Sequence, residues 1–246
     1  MSCRKGSTHP RTGSMWTTNV VREIVRIEGK SVRPAEALRE DETTIRYGAR
    51  HIAENRTGIA VLKVHRPVPI LPNSAGIVTR RDVRDAMMSY MRFMKLPFEH
   101  GVRWAASVLR FGPEAMYPGE PRLIVDYVEI VQNPTGVVQQ IATFLGSEQA
   151  VARSAEISAK LSKAAVKELV DTAHQSVVAK VLAGEKVDRG QVVVLGPKNW
   201  RAYDPNTGFQ SGHVSDYREG DGQTLLSQEQ QAQINRLIET AGRSLI

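Results

Sequence analysis

Between Gly58 and His65 the chain reads Gly-Ile-Ala-Val-Leu-Lys-Val-His, an apolar run rich in β-branched residues. A strand with one wet face alternates apolar and polar side chains; a run without alternation marks a strand covered on both faces. Two covered faces require helices above and below a sheet. Shorter strand patterns follow at Gly76-Ile-Val-Thr79 and Arg122-Leu-Ile-Val-Asp-Tyr127. Between and after them lie helical periodicities over 16–27, 83–94, 98–111 and 134–145. The order β-loop-α, β, β-α, β-α predicts an α/β fold. It is a single three-layer domain over residues 1–246, with a central, mostly parallel sheet and helices on both faces.

The most chemically suggestive stretch is Ser7-Thr8-His9-Pro10-Arg11-Thr12-Gly13-Ser14-Met15-Trp16. Beyond it, Trp16, Val20, Val21, Ile24 and Ile27 fall at helical spacing. The pattern predicts a P-loop-like strand-loop-helix. A loop opening a helix offers unpaired backbone N–H groups and a positive dipole end. Arg11 adds a cation, Thr12 and Ser14 add hydroxyls, and Gly13 lets the backbone close on a ligand. The G-x-x-x-x-G-K-[ST] spacing of nucleoside triphosphatases is absent. An ordinary N-capped helix after a turn is the alternative reading of these residues. Residues 1–9 should supply the strand before the loop, yet they are polar and glycine-bearing, so that strand is either very short or incomplete in the sequence.

Two further clusters carry ionisable groups. Lys63 and His65 flank Val64 at the carboxyl end of the apolar strand, so they project to one side, at the edge where ligands collect in open α/β sheets. Arg81-Asp-Val-Arg-Asp85 opens the helix whose stripe is Val83, Ala86, Met87, Tyr90, Met91 and Met94. Ser89 falls off that stripe. Arg81 and Ser89 read either as a second anion site or, with Asp85, as an i,i+4 ion pair on a solvated flank. The methionines read as core. Helices are expected near 34–40 and 43–54, a mostly helical stretch over 147–183, a strand or extended edge at 191–195 and a long loop over 196–223. A last helix begins at the capping box Ser227-Gln-Glu-Gln230.

The net charge of +7 points to an anionic partner. No aromatic-basic pattern accompanies it, so nucleic acid is not expected. One cysteine, Cys3, excludes an internal disulfide and any cysteine-based zinc site, and no metal cluster is expected. No run resembles a signal peptide or approaches membrane-spanning length, which leads to a cytoplasmic expectation with no membrane partner. Oligomeric state is not written in the sequence.

Taken in order, these motifs resemble the cytosolic-type sulfotransferases, bacterial forms included, that use 3′-phosphoadenosine 5′-phosphosulfate (PAPS). His9-Pro-Arg-Thr-Gly-Ser-Met-Trp16 is similar to the family's 5′-phosphosulfate loop, and Lys63-Val-His65-Arg-Pro67 to its Lys-Thr-His motif. Arg81 through Ser89-Tyr90 is similar to its 3′-phosphate motif. Tyr127-Val-Glu129 and Gly212-His-Val-Ser-Asp-Tyr-Arg218 resemble two later segments.

The resemblance implies in-line transfer of a sulfuryl group from PAPS to a hydroxyl or amine of a small-molecule or carbohydrate acceptor, leaving the bisphosphate PAP and using no metal. It implies His65 as general base, with Lys63 and Arg11 stabilising charge at the reacting end. It implies a nucleotide site formed by Arg11, Thr12, Gly13, Ser14, Met15, Trp16, Arg81, Ser89, Tyr127 and Gly212. Within it Trp16 would stack on adenine, while Arg81 and Ser89 would hold the 3′-phosphate. Three features depart from the pattern. Gln210 and Ser211 stand where an Arg-Lys pair is usual, leaving Arg201 or Lys198 as substitutes; Met15 replaces a hydroxyl residue; and the first strand is polar. A non-catalytic nucleotide- or polyanion-binding protein on the same fold is the alternative. The identity of the acceptor is not legible.

Overall fold

A computed structural model describes residues 3–7, 11–36, 41–67, 71–196, 199–212, 214 and 219–244. The chain begins with β1 (Cys3–Ser7), α1 (Ser14–Ile27), β2 (Val32–Arg33), α2 (Asp41–Ala53), β3 (Ile59–Val64) and β4 (Ser74–Arg80). It continues through α3 (Val83–Met94), α4 (Phe98–Leu109), α5 (Pro113–Met116), β5 (Arg122–Asp126), α6 (Tyr127–Gln132) and α7 (Pro134–Phe144). The last third holds α8 (Glu148–Ala152), α9 (Ser154–Lys160), α10 (Lys163–Leu182), β6 (Val192–Gly196), β7 (Asn199–Ala202), α11 (Asp221–Thr224) and α12 (Gln228–Ser244).

Five strands form one sheet in the order β2-β3-β1-β4-β5, every pair parallel. The polar opening segment is therefore the centre of the sheet: Arg4 to Ser7 pair with Val61 to Val64, and Cys3 to Gly6 with Ser74 to Ile77. Backbone ladders on both sides hold it, so it needs no apolar run of its own to be a strand. Five residues suffice.

The expectation for β3 is met residue by residue. Ile59 and Val61 join the main core with Val20, Ile24, Val138 and Ile141, contributed by α1 and α7. The alternate residues Ala60 and Leu62 pack with Tyr47 and Ile52 of α2, and Val64 meets Val78, Met116 and Tyr117. Each such buried aliphatic side chain contributes roughly 1.5–3 kcal/mol. Gly76 of β4 admits the Tyr117 ring flat against its backbone, where a Cβ would collide with Cδ1; the Tyr117 hydroxyl lies 2.9 Å from Ser74 Oγ. Met87, fully buried, anchors a further cluster between α3, α4 and α12, so the methionine stripe is core, as read.

Several expectations need correction. Residues 34–36 are a bend rather than helix, and 37–40 lie outside the described residues. Part of the 196–223 loop is ordered: β6 and β7 form an antiparallel hairpin, Tyr203 bridges Gln210, and α11 follows. The Arg81–Asp85 pair is replaced by other partners. Asp85 accepts the N–H groups of Gly220 (2.9 Å) and Gly222 (2.6 Å), while Asp82 caps α3 and pairs with Arg84.

Candidate active site

The strand order places a crossover reversal at β1: the chain goes from β1 to β2 at one edge, returns to β3, and then crosses β1 to reach β4 and β5 on the other side. Crevices at the carboxyl ends of strands flanking such a point collect ligands. Arg11–Ser14 follow β1, Lys63 and His65 end β3, Arg81 follows β4 and Tyr127 follows β5. All four candidate groups therefore meet along one edge of the sheet.

The loop turns into α1 at a glycine. Gly13 is the N-cap of α1 at φ 88°, no side chain caps the helix, and no acidic residue sits in its first turn. A Cβ on Gly13 would lie 2.8 Å from Ile130 Cδ1 and 3.1 Å from Tyr127 Cδ2. Glycine is thus required twice, for the left-handed backbone and for the close approach. Among the described residues no side chain caps α1, and backbone N–H groups opening a helix are suited to an anion. Thr12 is spent on structure, its Oγ1 2.6 Å from Thr79 Oγ1 in a buried pair that ties the loop to β4. Ser14 is buried at the helix start.

Arg11 turns toward α3. Its Nε donates to Ser89 Oγ at 3.0 Å, and its guanidinium lies 4.5 Å from the centroid of the Phe93 ring. Burial, with the nearby charges of Arg81 and Arg201, lowers its pKa to about 10. Arg81 donates from Nη1 to the Arg11 carbonyl at 3.2 Å and stacks 4.0 Å above Tyr127. Its Nε stands 3.4 Å from Glu219 Oε2 without hydrogen-bond alignment, and the side chain is only 4% exposed. Arg201 of β7 approaches the opposite end of α3: its Nη1 donates to the Ser211 carbonyl at 2.7 Å, its Nη2 to the Phe93 carbonyl, and its guanidinium lies 4.1 Å from the same Phe93 ring. Among the described residues, the buried Nε groups of Arg81 and Arg201 find no hydrogen-bond partner. Three guanidiniums thus gather around one helix. Burial lowers the pKa of Arg201 as well.

At the end of β3, Lys63 Nζ lies 2.7 Å from His65 Nε2. Asp41, the first residue of α2, accepts the His65 backbone N–H at 2.9 Å and faces His65 Nδ1 at 3.4 Å. Burial lowers the Lys63 pKa to about 8, and the Asp41 charge only partly offsets this. For Asp41 itself burial favours the neutral acid, but hydrogen bonds from the His65 side chain and backbone, with the His65 and Lys63 charges, outweigh it and hold the carboxyl below its ordinary range.

The geometry brings Arg11, Arg81, Ser89, Tyr127 and Gly13 into one group, and Lys63 with His65 into a second at the adjacent strand end. Trp16 and Met15 point elsewhere in part: both pack against the main core, and the Trp16 indole donates to the Leu161 carbonyl at 3.0 Å. Gly212, at φ 81°, lies against Arg201; most of the 213–218 segment lies outside the described residues. Asp41 and Glu219 were not legible as site residues. Each is one carboxylate in a charged stretch, and only the tertiary fold sets it beside its partner.

No family model matches the chain, and no curated protein matches it. Solved structures do. A crystal structure of mouse sulfotransferase SULT7A1 complexed with PAP superposes at TM-score 0.63 with 15% identity, over 98% of this chain and 85% of that one. Retinol dehydratase in a complex with retinol and PAP gives 0.57 and 14%, over 97% and 80%. The same enzyme in complex with androsterone and inactive cofactor PAP gives 0.55 and 14%, with the same coverage. The chain has the sulfotransferase fold, as the motifs led one to expect. At such identity the likeness establishes architecture rather than activity.

Proposed function

We propose that the whole chain, residues 1–246, works as a PAPS-dependent sulfotransferase acting on a hydroxyl or amine of a small-molecule or carbohydrate acceptor. The observation that carries this reading is the adjacency of two groups: a guanidinium cluster around Ser89 and an uncapped helix start, beside a Lys63–His65 pair at the next strand end. That the solved neighbours are complexed with PAP supports the choice of donor.

PAPS supplies an activated sulfuryl group. The residues fit such a ligand because they offer donors and take none away. The N–H groups opening α1, through Gly13, Ser14 and Met15, suit the 5′-phosphate, and Arg11 adds charge beside them. Arg81 and Ser89 serve the 3′-phosphate, with Arg201 standing in for the arginine-lysine pair that Gln210 and Ser211 do not provide. Tyr127 supports Arg81 from below, Trp16 offers its ring to adenine, and Gly212 makes room for Arg201. His65 Nε2 takes the acceptor's proton, a contribution of about 10²–10⁴-fold for a well-placed base. The Lys63 ammonium stabilises charge on the departing phosphate oxygen.

Calorimetric titration with adenosine 3′,5′-bisphosphate beside AMP, ADP and ATP tests the site. The bisphosphate should bind at least tenfold more tightly than AMP; equal affinities would remove the 3′-phosphate assignment. Turnover is then compared in the parent and His65→Ala, which should keep bisphosphate affinity and lose about 10²–10⁴-fold in kcat. A parent that binds the bisphosphate but sulfates nothing across a broad acceptor panel would leave a nucleotide-binding protein on this fold.

A further inference from the structure

An imidazole serves as a base only at a nitrogen that lacks a proton, and its two nitrogens are told apart by what their neighbours donate or accept. At His65 both neighbours specify the same arrangement. Asp41, its carboxyl held below the ordinary range, is an acceptor only and faces Nδ1 through Oδ1. Lys63 Nζ, as an ammonium, is a donor only and faces Nε2 at 2.7 Å. The proton of the neutral ring therefore belongs on Nδ1, and Nε2 carries the lone pair. The second oxygen of Asp41 accepts the His65 backbone N–H at 2.9 Å, so one carboxylate fixes both the main chain and the ring. Among the described residues, Asp41 from α2 and Lys63 from β3 bring charged groups to the imidazole.

We propose that Asp41 is the positioning residue of His65: it sets the Nδ1–H tautomer, holds the ring with Nε2 toward the reacting end, and stabilises the imidazolium formed when Nε2 takes the acceptor's proton. This rests on the reading of His65 as the base, and extends it to a residue outside every motif of the β3 end. A carboxylate that only capped the start of α2 or tied down the turn after β3 would need the backbone contact alone. The ring contact is surplus to that, and it lies on Nδ1, so the ring's lone pair falls on Nε2 beside Lys63.

The balance of the assisted step is simple. The acceptor oxygen forms its bond to sulfur, the bond from sulfur to the bridging phosphate oxygen breaks with its electron pair leaving on that oxygen, and the acceptor's proton goes to His65 Nε2. Asp41 gains nothing and loses nothing. Its Oδ1 accepts the same Nδ1–H before and after, more strongly once the ring is charged.

The test uses the full-length protein with ¹⁵N-labelled histidine and the variants Asp41→Asn, Asp41→Ala and Asp41→Glu. In the parent, the His65 ring nitrogens should show the Nδ1–H pattern. In Asp41→Asn the amide NH₂ competes for Nδ1, so the ring should shift toward the Nε2–H form. The kcat should fall about ten- to a hundredfold with the KM for PAPS unchanged, and the rising limb of the pH–kcat profile should move about one unit lower as the imidazolium loses its counter-charge. Asp41→Glu should recover part of the rate, and unaltered bisphosphate affinity in each variant shows that the site is folded. An unchanged tautomer in both Asp41→Asn and Asp41→Ala overturns the proposal, as does a changed tautomer with an unchanged kcat. If the parent proves to be no sulfotransferase, the nitrogen shifts still decide whether Asp41 positions the ring, so the two failures are separable.

Discussion

The guanidinium of Arg201 occupies the space that a side chain at position 212 would need: a Cβ on Gly212 would collide with its Nη1. Gly212 also sits at φ 81°, where an L side chain is strained. The glycine therefore makes room for a cation that comes from β7, eleven residues earlier in the chain. Two carbonyls, of Ser211 and Phe93, fix that cation, and its buried Nε finds no hydrogen-bond partner among the described residues.

Replacing Arg201 by Met should weaken adenosine 3′,5′-bisphosphate binding about ten- to a hundredfold, the range expected for losing one charge-assisted hydrogen bond. AMP binding should change far less. Gly212→Ala should act in the same direction and also cost about 1–3 kcal/mol of stability. Titration calorimetry with both nucleotides and urea denaturation separate the two effects; equal losses for AMP and bisphosphate would place Arg201 away from the 3′-phosphate.

Lys63 gives the site a pH dependence whose sign is fixed. Burial lowers its pKa from 10.5 to about 8, so in the free protein its charge is lost above that pH. If the bisphosphate binds beside Lys63, it would restore the ammonium, and binding would then be coupled to proton uptake. Bisphosphate affinity should fall as pH rises above about 8, by at most tenfold per unit. The stability effect has the opposite direction. The unfolded chain holds this proton more tightly, so stability from Lys63 rises with pH between about 8 and the unfolded value of 10.5. Lys63→Met should flatten both curves. A parent affinity that stays level from pH 7 to 10 would show that Lys63 does not face the anion.

Gly13→Ala tests the loop without touching a charge. The new methyl group meets Ile130 and Tyr127, and the φ of 88° becomes strained. The expected outcome is a loss of about 1–3 kcal/mol in stability and at least tenfold weaker binding of both AMP and the bisphosphate, since both share the 5′-phosphate. Binding that survives intact would place the anion outside the helix start.

What could be read in advance follows from which forces are local. The β3 run announces a doubly covered strand because burial on both faces is written in consecutive residues, and the stripe of α3 does the same for a helix. The loop from Arg11 to Trp16 and the Lys63–His65 spacing are equally local, and the structure assembles them where the strand order reverses. The polar β1 was hard to read because its neighbours' ladders, not its own side chains, make it a strand. Asp41 and Glu219 act across 24 and 138 positions on His65 and Arg81. No spacing rule reaches so far. Asp85 shows the same limit: a carboxylate in a helix's first turn has a ready local account, yet here it is spent on the backbone of Gly220 and Gly222.

Glu219 sets the last prediction. Its carboxylate faces the buried Arg81 guanidinium at 3.4 Å. Burial raises its pKa, and the negative neighbours Asp85 and Asp82 raise it further, against the pull of Arg81. If Arg81 holds the 3′-phosphate, a carboxylate here would compete with it for the same cation and repel it. Glu219→Gln should therefore tighten bisphosphate binding at pH 7 by about three- to tenfold, the scale of one screened charge contact, and leave AMP unaffected. Lowering the pH toward the raised carboxyl value should tighten binding in the parent but not in the variant, because a protonated Glu219 no longer repels. If Glu219→Gln instead weakens the bisphosphate, the carboxylate orients Arg81 rather than competing for it. The two roles thus predict opposite signs in one titration.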